Sequence, residues 1–388
     1  MGLVVSRFLI TGARSPAALE MVRNLGCRGH QIHLTDSLKY PIARCSKFVS
    51  SYHQIASPIK SIESYKNSIN QILISNKIDY LLPTCEEVFY ISKIKEQLVL
   101  STDILCSDIH LLRMMHSKIK ILDLAADCEI LIPTTFLVSE QNSASQLHYT
   151  DFVLKKEFSR FGNDVVVSPS NKQVKRAAEY NCAKKGDNRY LLQQKITGTE
   201  ICCYAIAVHG IVNLCACYLP KYRISQSASI YFKSIEDQKI LNFVKNIVSK
   251  TNFHGQISFD FIRNELGDFL IECNPRATSG VHLCKHFDLA AMFSSAQPKS
   301  GVLQKGLASQ IKYAMLFFIL PKYLFSRNER IVKDYLETED AIRTINDPIA
   351  FIKILQSFFE LIIIAANNRQ SLRSASTKDI EWDGGSFK

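Results

Sequence analysis

The chain has 388 residues, 47% of them hydrophobic, and a formal net charge of +11. Such a length supports two or three compact units, and the composition excludes collagen-like and disordered classes. The basic excess suits acidic ligands, but Lys and Arg are spread along the chain with no zinc-finger spacing and no RNA-binding aromatic signature, so nucleic acid is not an expected partner.

In chain order, Arg7–Gly12 reads as a buried strand. Ser15-Pro16 supplies an N-cap and a first-turn proline for a helix that runs to about Leu25 and stops at Gly26. Gln31–Asp36 reads as a second strand, Ile62–Lys77 as a helix and Asp79–Pro83 as a third strand, after which Thr84-Cys85-Glu86-Glu87 opens another helix. This alternation predicts a parallel sheet with helices on both faces. The turn Thr11–Pro16 has one glycine instead of the three of a dinucleotide fingerprint, so these strand ends are read as one wall of a substrate site.

From His110 to Asp127 the pattern is helical, with Lys118 near its start. Strands are expected at Phe152–Lys155, Val165–Ser168, Tyr190–Ile196, Glu200–Val208 and Ile211–Leu219, with a loop over Ser159–Asp164. The change to an antiparallel pattern predicts a domain boundary near residue 110. Toward the C-terminus, Asp347-Pro348 starts a helix running to Ala366, on which Lys353, Gln356, Ser357 and Glu360 form one polar stripe. The rest of that helix is apolar and is expected to pack into a core, with an interfacial membrane helix as the alternative. No stretch is apolar enough to span a bilayer. The twelve cysteines are scattered and no secretory signal precedes them, so they read as reduced thiols of a cytoplasmic protein. His282, Cys284 and His286 are spaced i, i+2, i+4, and no fourth ligand is near, which argues against zinc.

The most informative segment is Gly255–Gly280. Strands Gln256–Ile262 and Asp268–Asn274 flank a turn containing Asn264 and Gly267. Centring the hairpin near Leu266 sets Phe261 across from Ile271 and Phe259 across from Cys273, giving one apolar face. The same register sets Asp260 across from Glu272, with Asn274 beside it. Facing carboxylates repel, by more as water is excluded. Two carboxylates and an amide oxygen are hard ligands suited to Mg2+ shared with a phosphate, although spacing alone fits a solvated acidic pair equally well.

Glu272-Cys273-Asn274-Pro275-Arg276, with Asp260 twelve residues upstream, resembles the metal site of the ATP-grasp superfamily, which includes biotin carboxylase, the carbamoyl phosphate synthetase large chain and D-alanine–D-alanine ligase. The resemblance implies an α/β ATP-grasp fold: a parallel-sheet preATP-grasp domain (1–110), an N-terminal lobe (111–190), a C-terminal lobe bearing the metal site (191–300) and a helical C-terminal extension (301–388). It implies a ligase that uses ATP and Mg2+, with Mn2+ as a substitute, to join a small-molecule carboxylate to an amine or other nucleophile through an acyl phosphate. Asp260, Glu272 and Asn274 would hold the metal, and Lys118 and Lys155 would hold phosphates. Gln193, Gln194 and Ile196 match the adenine hinge, and Glu200 the acid that binds ribose. Gln193 stands where many members carry glutamate, and the phosphate loop Phe158–Asp164 has a single glycine. Arg276 would face the phosphates or the reacting carboxylate, with Lys155 as the second catalytic cation; Arg223, in Lys221-Tyr222-Arg223, is a further candidate for the substrate carboxylate. One alternative is an ATP-binding regulatory module without turnover; a second is a membrane-peripheral protein whose C-terminal helices dock on anionic lipid. Oligomeric state is not legible.

Overall fold

The computed structural model describes residues 5–143, 149–159, 165–183, 188–224, 229–294, 301–322 and 329–387. The first sheet contains β1 (Arg7–Thr11), β2 (Gln31–Asp36), β3 (Val49–Gln54), β4 (Tyr80–Leu82) and β5 (Asp103–Ile104) in the order β3-β2-β1-β4-β5, all parallel. Phe8, Leu9 and Ile10 are fully buried, as a central parallel strand covered on both faces requires. Because β2 and β3 lie on one side of β1 and β4 and β5 on the other, the order in which strands are added reverses between β1 and β4. The crevice beyond their carboxyl ends is bounded by residues 12–15 and 83–87. The Ser15 hydroxyl caps the first helix, Pro16–Gly26, by accepting from the Ala18 N–H at 3.0 Å.

The second sheet is antiparallel, β6 (Thr135–Leu137), β9 (Tyr190–Gln194), β7 (Phe152–Lys156) and β8 (Val166–Val167) in that spatial order. The third runs β14 (Gly267–Asn274), β13 (Gly255–Asn264), β10 (Thr199–Val208), β11 (Ile211–Arg223), β12 (Ser229–Ile235), β16 (Ala308–Gln310) and β17 (Glu339–Asp340), with β15 (Gly301–Val302) pairing β11. The helix Gln238–Thr251 buries Ile240, Val244 and Ile247 in the core shared with Phe259 and Phe261. The stretch after residue 300 thus contributes three short strands to the third sheet, the last two separated by the helical segments 312–319 and Glu329–Glu337.

Three expectations are corrected. The helix expected over 110–127 breaks into Ile109–His116 and Lys120–Ala125, because Ser117 turns extended and its hydroxyl accepts from the Lys120 N–H at 3.1 Å. In the hairpin, Phe259 faces Cys273 and Asp260 faces Glu272, but a bulge after Asp260 brings Leu270, not Ile271, across from Phe261. The bulge absorbs the residue by which the tight turn Asn264–Gly267 differs from the register at Asp260, and Leu270 takes the fully buried place.

The third correction concerns the apolar helix, Phe351–Asn367. It is not packed into a core: Ala365 is its one buried residue, while Ile352 is 60% and Phe359 55% exposed. Of the polar stripe, Lys353 and Gln356 are exposed, and Glu360 meets the body: its carboxylate accepts from the backbone N–H groups of Lys39 and Tyr40 at 2.7 Å each, while Ile354 packs against the core. With Glu360 held by these two loop amides, Ile352, Phe358, Phe359 and Ile363 lie on the exposed side. Among the described residues no helix is long and apolar enough to cross a membrane. A buried ion pair, Arg23 Nε to Asp347 Oδ2 at 2.8 Å, ties the segment before this helix to the first helix.

Candidate active site

The β13–β14 hairpin presents Asp260 and Glu272 side by side, and alternation along β14 adds Asn274 to the same face. The Asn274 amide donates to Asp260 Oδ2 at 3.3 Å and to Glu272 Oε1 at 3.2 Å. Its oxygen accepts from Arg276 Nη2 at 3.0 Å. The three side chains therefore converge, with the amide nitrogen of Asn274 on the two carboxylates and its oxygen on Arg276. Withdrawal from water and the neighbouring Glu272 carboxylate push the Asp260 carboxyl up to about 7. Burial pushes Glu272 the same way, but Lys118 and Lys155 outweigh it and hold that carboxyl down at about 2. Crowding thus favours a proton on Asp260, which a cation at the site would displace.

Lys118 Nζ lies 3.6 Å from Glu272 Oε2 and donates to the Ser159 carbonyl at 3.1 Å. The helix break at Ser117 brings it there, and the Ser117 hydroxyl donates to Glu157. Lys155, on the same face of β7 as Val153, is 5% exposed and donates to Gln193 Oε1 at 2.8 Å. Burial, and then Lys118, lower its amine to about 7. Two buried lysines and two carboxylates, from the helix break at Ser117, β7, β13 and β14, thus share one electrostatic site.

The remaining candidates are less uniform. Gln193 is buried and its amide also donates to Thr135 Oγ1 at 3.2 Å. Gln194 is exposed and its side chain accepts from the Thr134 N–H at 3.2 Å. Strand β9 ends at Gln194, so Ile196 lies in the link to β10 and is half-buried. Glu200, at the start of β10, is exposed and pairs with Arg223. Lys221 points elsewhere, to Asp334. Arg160–Asp164 of the phosphate loop lie outside the described residues.

Sequence reasoning missed two contributors. Glu86, fully buried beyond β4, lies 3.6 Å from Arg276 Nε and so links the parallel sheet to the hairpin. His116, also buried, is lowered to about 4 by desolvation. A usable signal for Glu86 was its place directly after a buried strand. A cavity of about 550 Å3 lined by Lys233, His286, Lys333 and neighbours contains none of these residues.

No protein-family model and no curated protein sequence matches the chain. Solved structures do. The biotin carboxylase domain of Hydrogenobacter thermophilus 2-oxoglutarate carboxylase, in complex with MgADP, ADP and bicarbonate, is similar over 79% of this chain and 74% of that chain, with TM-score 0.60 and 11% identity. N5-carboxyaminoimidazole synthetase from Staphylococcus aureus is similar over 83% and 86%, with TM-score 0.60 and 12% identity. L-amino acid ligase from Bacillus licheniformis is similar over 78% and 79%, with TM-score 0.59 and 11% identity. These neighbours are ATP-grasp proteins, and the likeness shows that the chain has the ATP-grasp fold.

Proposed function

We propose that the chain is an ATP- and Mg2+-dependent ligase that activates a small-molecule carboxylate and joins it to an amine. The observation that carries this reading is the convergence of Asp260, Glu272 and Asn274 on one face, with Lys118 3.6 Å from Glu272 and Lys155 buried beside them. The hard-oxygen donor set fits Mg2+, with Mn2+ as a substitute. When bound, the ion would offset phosphate charge.

The chain's own residues do the rest. Lys118 and Lys155 hold the phosphates and neutralise charge as it builds on the transferred group. Gln193, Gln194 and Ile196 form the adenine edge, with Glu200 at the ribose once it exchanges Arg223 for the sugar hydroxyls. Arg276, anchored between Asn274 and Glu86, orients the reacting carboxylate. A substrate oxygen attacks the γ-phosphorus, the bond to the β-phosphate oxygen breaks, and acyl phosphate and ADP form. The amine then adds to the acyl carbon, phosphate leaves, and the amine gives up a proton.

Incubation with ATP, Mg2+, hydroxylamine and a panel of acids should yield an acyl hydroxamate and one ADP for each. ATP binding with no hydroxamate across the panel selects instead a regulatory module without turnover.

A second reading adds a location. The outward apolar face of Phe351–Asn367, on a chain of net charge +11, suits docking at an anionic bilayer surface. Ile352→Glu and Phe358→Glu should each reduce co-flotation with phosphatidylserine vesicles without changing ADP formation; undiminished flotation in both refutes it.

A further inference from the structure

The C-terminal tail turns back across the molecule onto the crevice between β1 and β4. After the short helix Leu372–Ala375, Asp379 meets Arg14, which follows β1: Arg14 Nη1 lies 2.5 Å from Asp379 Oδ1, and Nη2 donates to Oδ2 at 3.0 Å. The Ser37 hydroxyl donates to the same carboxylate, and the Ser57 hydroxyl donates to the Asp379 carbonyl. Three residues on, the Trp382 N–H reaches Glu86 Oε2 at 3.3 Å, beyond β4. The tail therefore bridges both rims of the point at which open α/β sheets bind ligands.

Two features mark this as a binding site rather than simple packing. Arg14 has a side chain only 6% exposed, yet it already has a full counter-ion: Asp36, 1% exposed, accepts from Nε at 3.1 Å and from Nη2. Asp379 is a second carboxylate on a guanidinium that is balanced without it. Its departure strands no buried cation, so exchange for another carboxylate is electrically neutral. Arginine's fork suits that ligand. The tail also touches the nucleotide side of the cleft. Trp382 is 3% exposed and packs on Phe89 (4.8 Å between rings) and Phe158 (5.1 Å). Gly384 passes so close to Phe158 that a Cβ would lie 2.4 Å from its ring. Phe158 adjoins Ser159, whose carbonyl accepts from Lys118.

We infer that Arg14, with Ser37, is a carboxylate-binding site for a small-molecule acid, and that Asp379 of the chain's own tail is its resident occupant, exchanged when the acid binds. The ligand class rests on the ligase reading; the site and its occupant rest on the contacts above.

The test needs no nucleotide, so it is independent of catalysis. Trp382 is the only tryptophan, so its emission reports the seating of the tail, and hydrogen exchange over residues 376–385 reports it a second way. The full chain is titrated with acetate, succinate and L-glutamate, against chloride at matched ionic strength. A carboxylate should shift the emission to the red and speed exchange in the tail, and chloride should not. Asp379→Asn should respond at about tenfold lower carboxylate concentration, because a charge-assisted competitor is gone. Arg14→Gln should lose the response; should that variant misfold, Arg14→Lys, which keeps the charge without the fork, should weaken it about tenfold. No response to any of the three acids in either wild type or Asp379→Asn overturns the inference. Hydroxamate formation with an unresponsive tail leaves the ligase reading standing and removes this one; a responsive tail without hydroxamate does the reverse.

Discussion

Asp260→Asn and Glu272→Gln should each lower ATP-dependent ADP formation by on the order of 10²–10³-fold, the range seen when one preorganised electrostatic group is removed from a reacting centre. Neither should unfold the chain. The two carboxylates face each other across the hairpin, and packing plus repulsion hold the Asp260 carboxyl at about 7. An acid whose folded value lies above its ordinary value binds more protons native than unfolded, so it lowers stability as pH rises from about 4 to about 7. Replacing it with a neutral isostere removes that cost, and the melting temperature of Asp260→Asn at pH 8 should equal or exceed that of wild type. Mg2+ with an ATP analogue should raise the melting temperature of wild type and not of the variant. Full ADP formation in both variants would show that this face does not hold the metal.

Nucleotide binding should take up a proton at Lys155. In the nucleotide-free chain, burial and Lys118 lower this amine to about 7, so at pH 8 it is mostly neutral. A triphosphate against it favours the charged form, and the proton comes from solvent. Between pH 7 and 9 the ATP dissociation constant should therefore rise by up to about tenfold per unit, a slope that Lys155→Met abolishes. Without nucleotide, the unfolded chain holds the proton that the native one lacks over this range, so stability contributed here increases with pH from about 7 toward the ordinary lysine value. Calorimetry at pH 8 in two buffers of different ionisation enthalpy measures the uptake. A heat independent of buffer would show that Lys155 does not charge against the phosphates.

Much of this site is legible before any fold is known, because it is local. Phe259, Asp260 and Cys273 lie within one hairpin, where alternation and burial leave a single register for them. The bulge that exchanges Ile271 for Leu270 was not legible, since it reconciles the turn with the distant end of the same two strands. Lys118 was identifiable as a residue but not as a position, because a continuous helical pattern hid the break that Ser117 makes with its own hydroxyl.

By itself the amino-acid sequence determined the alternating parallel sheet and the acidic hairpin, which depend on periodicities of two or 3.6 residues over short spans, whereas Lys118 and Lys155 stood out only through the family resemblance. The tertiary structure alone decided which way the helix Phe351–Asn367 faces and where the tail ends. Glu360 finds the Lys39 and Tyr40 amides, and Asp379 finds Arg14, across more than three hundred residues of chain. An amphipathic pattern states that two faces differ; which one meets the protein depends on partners brought together by folding, and no local period carries that information.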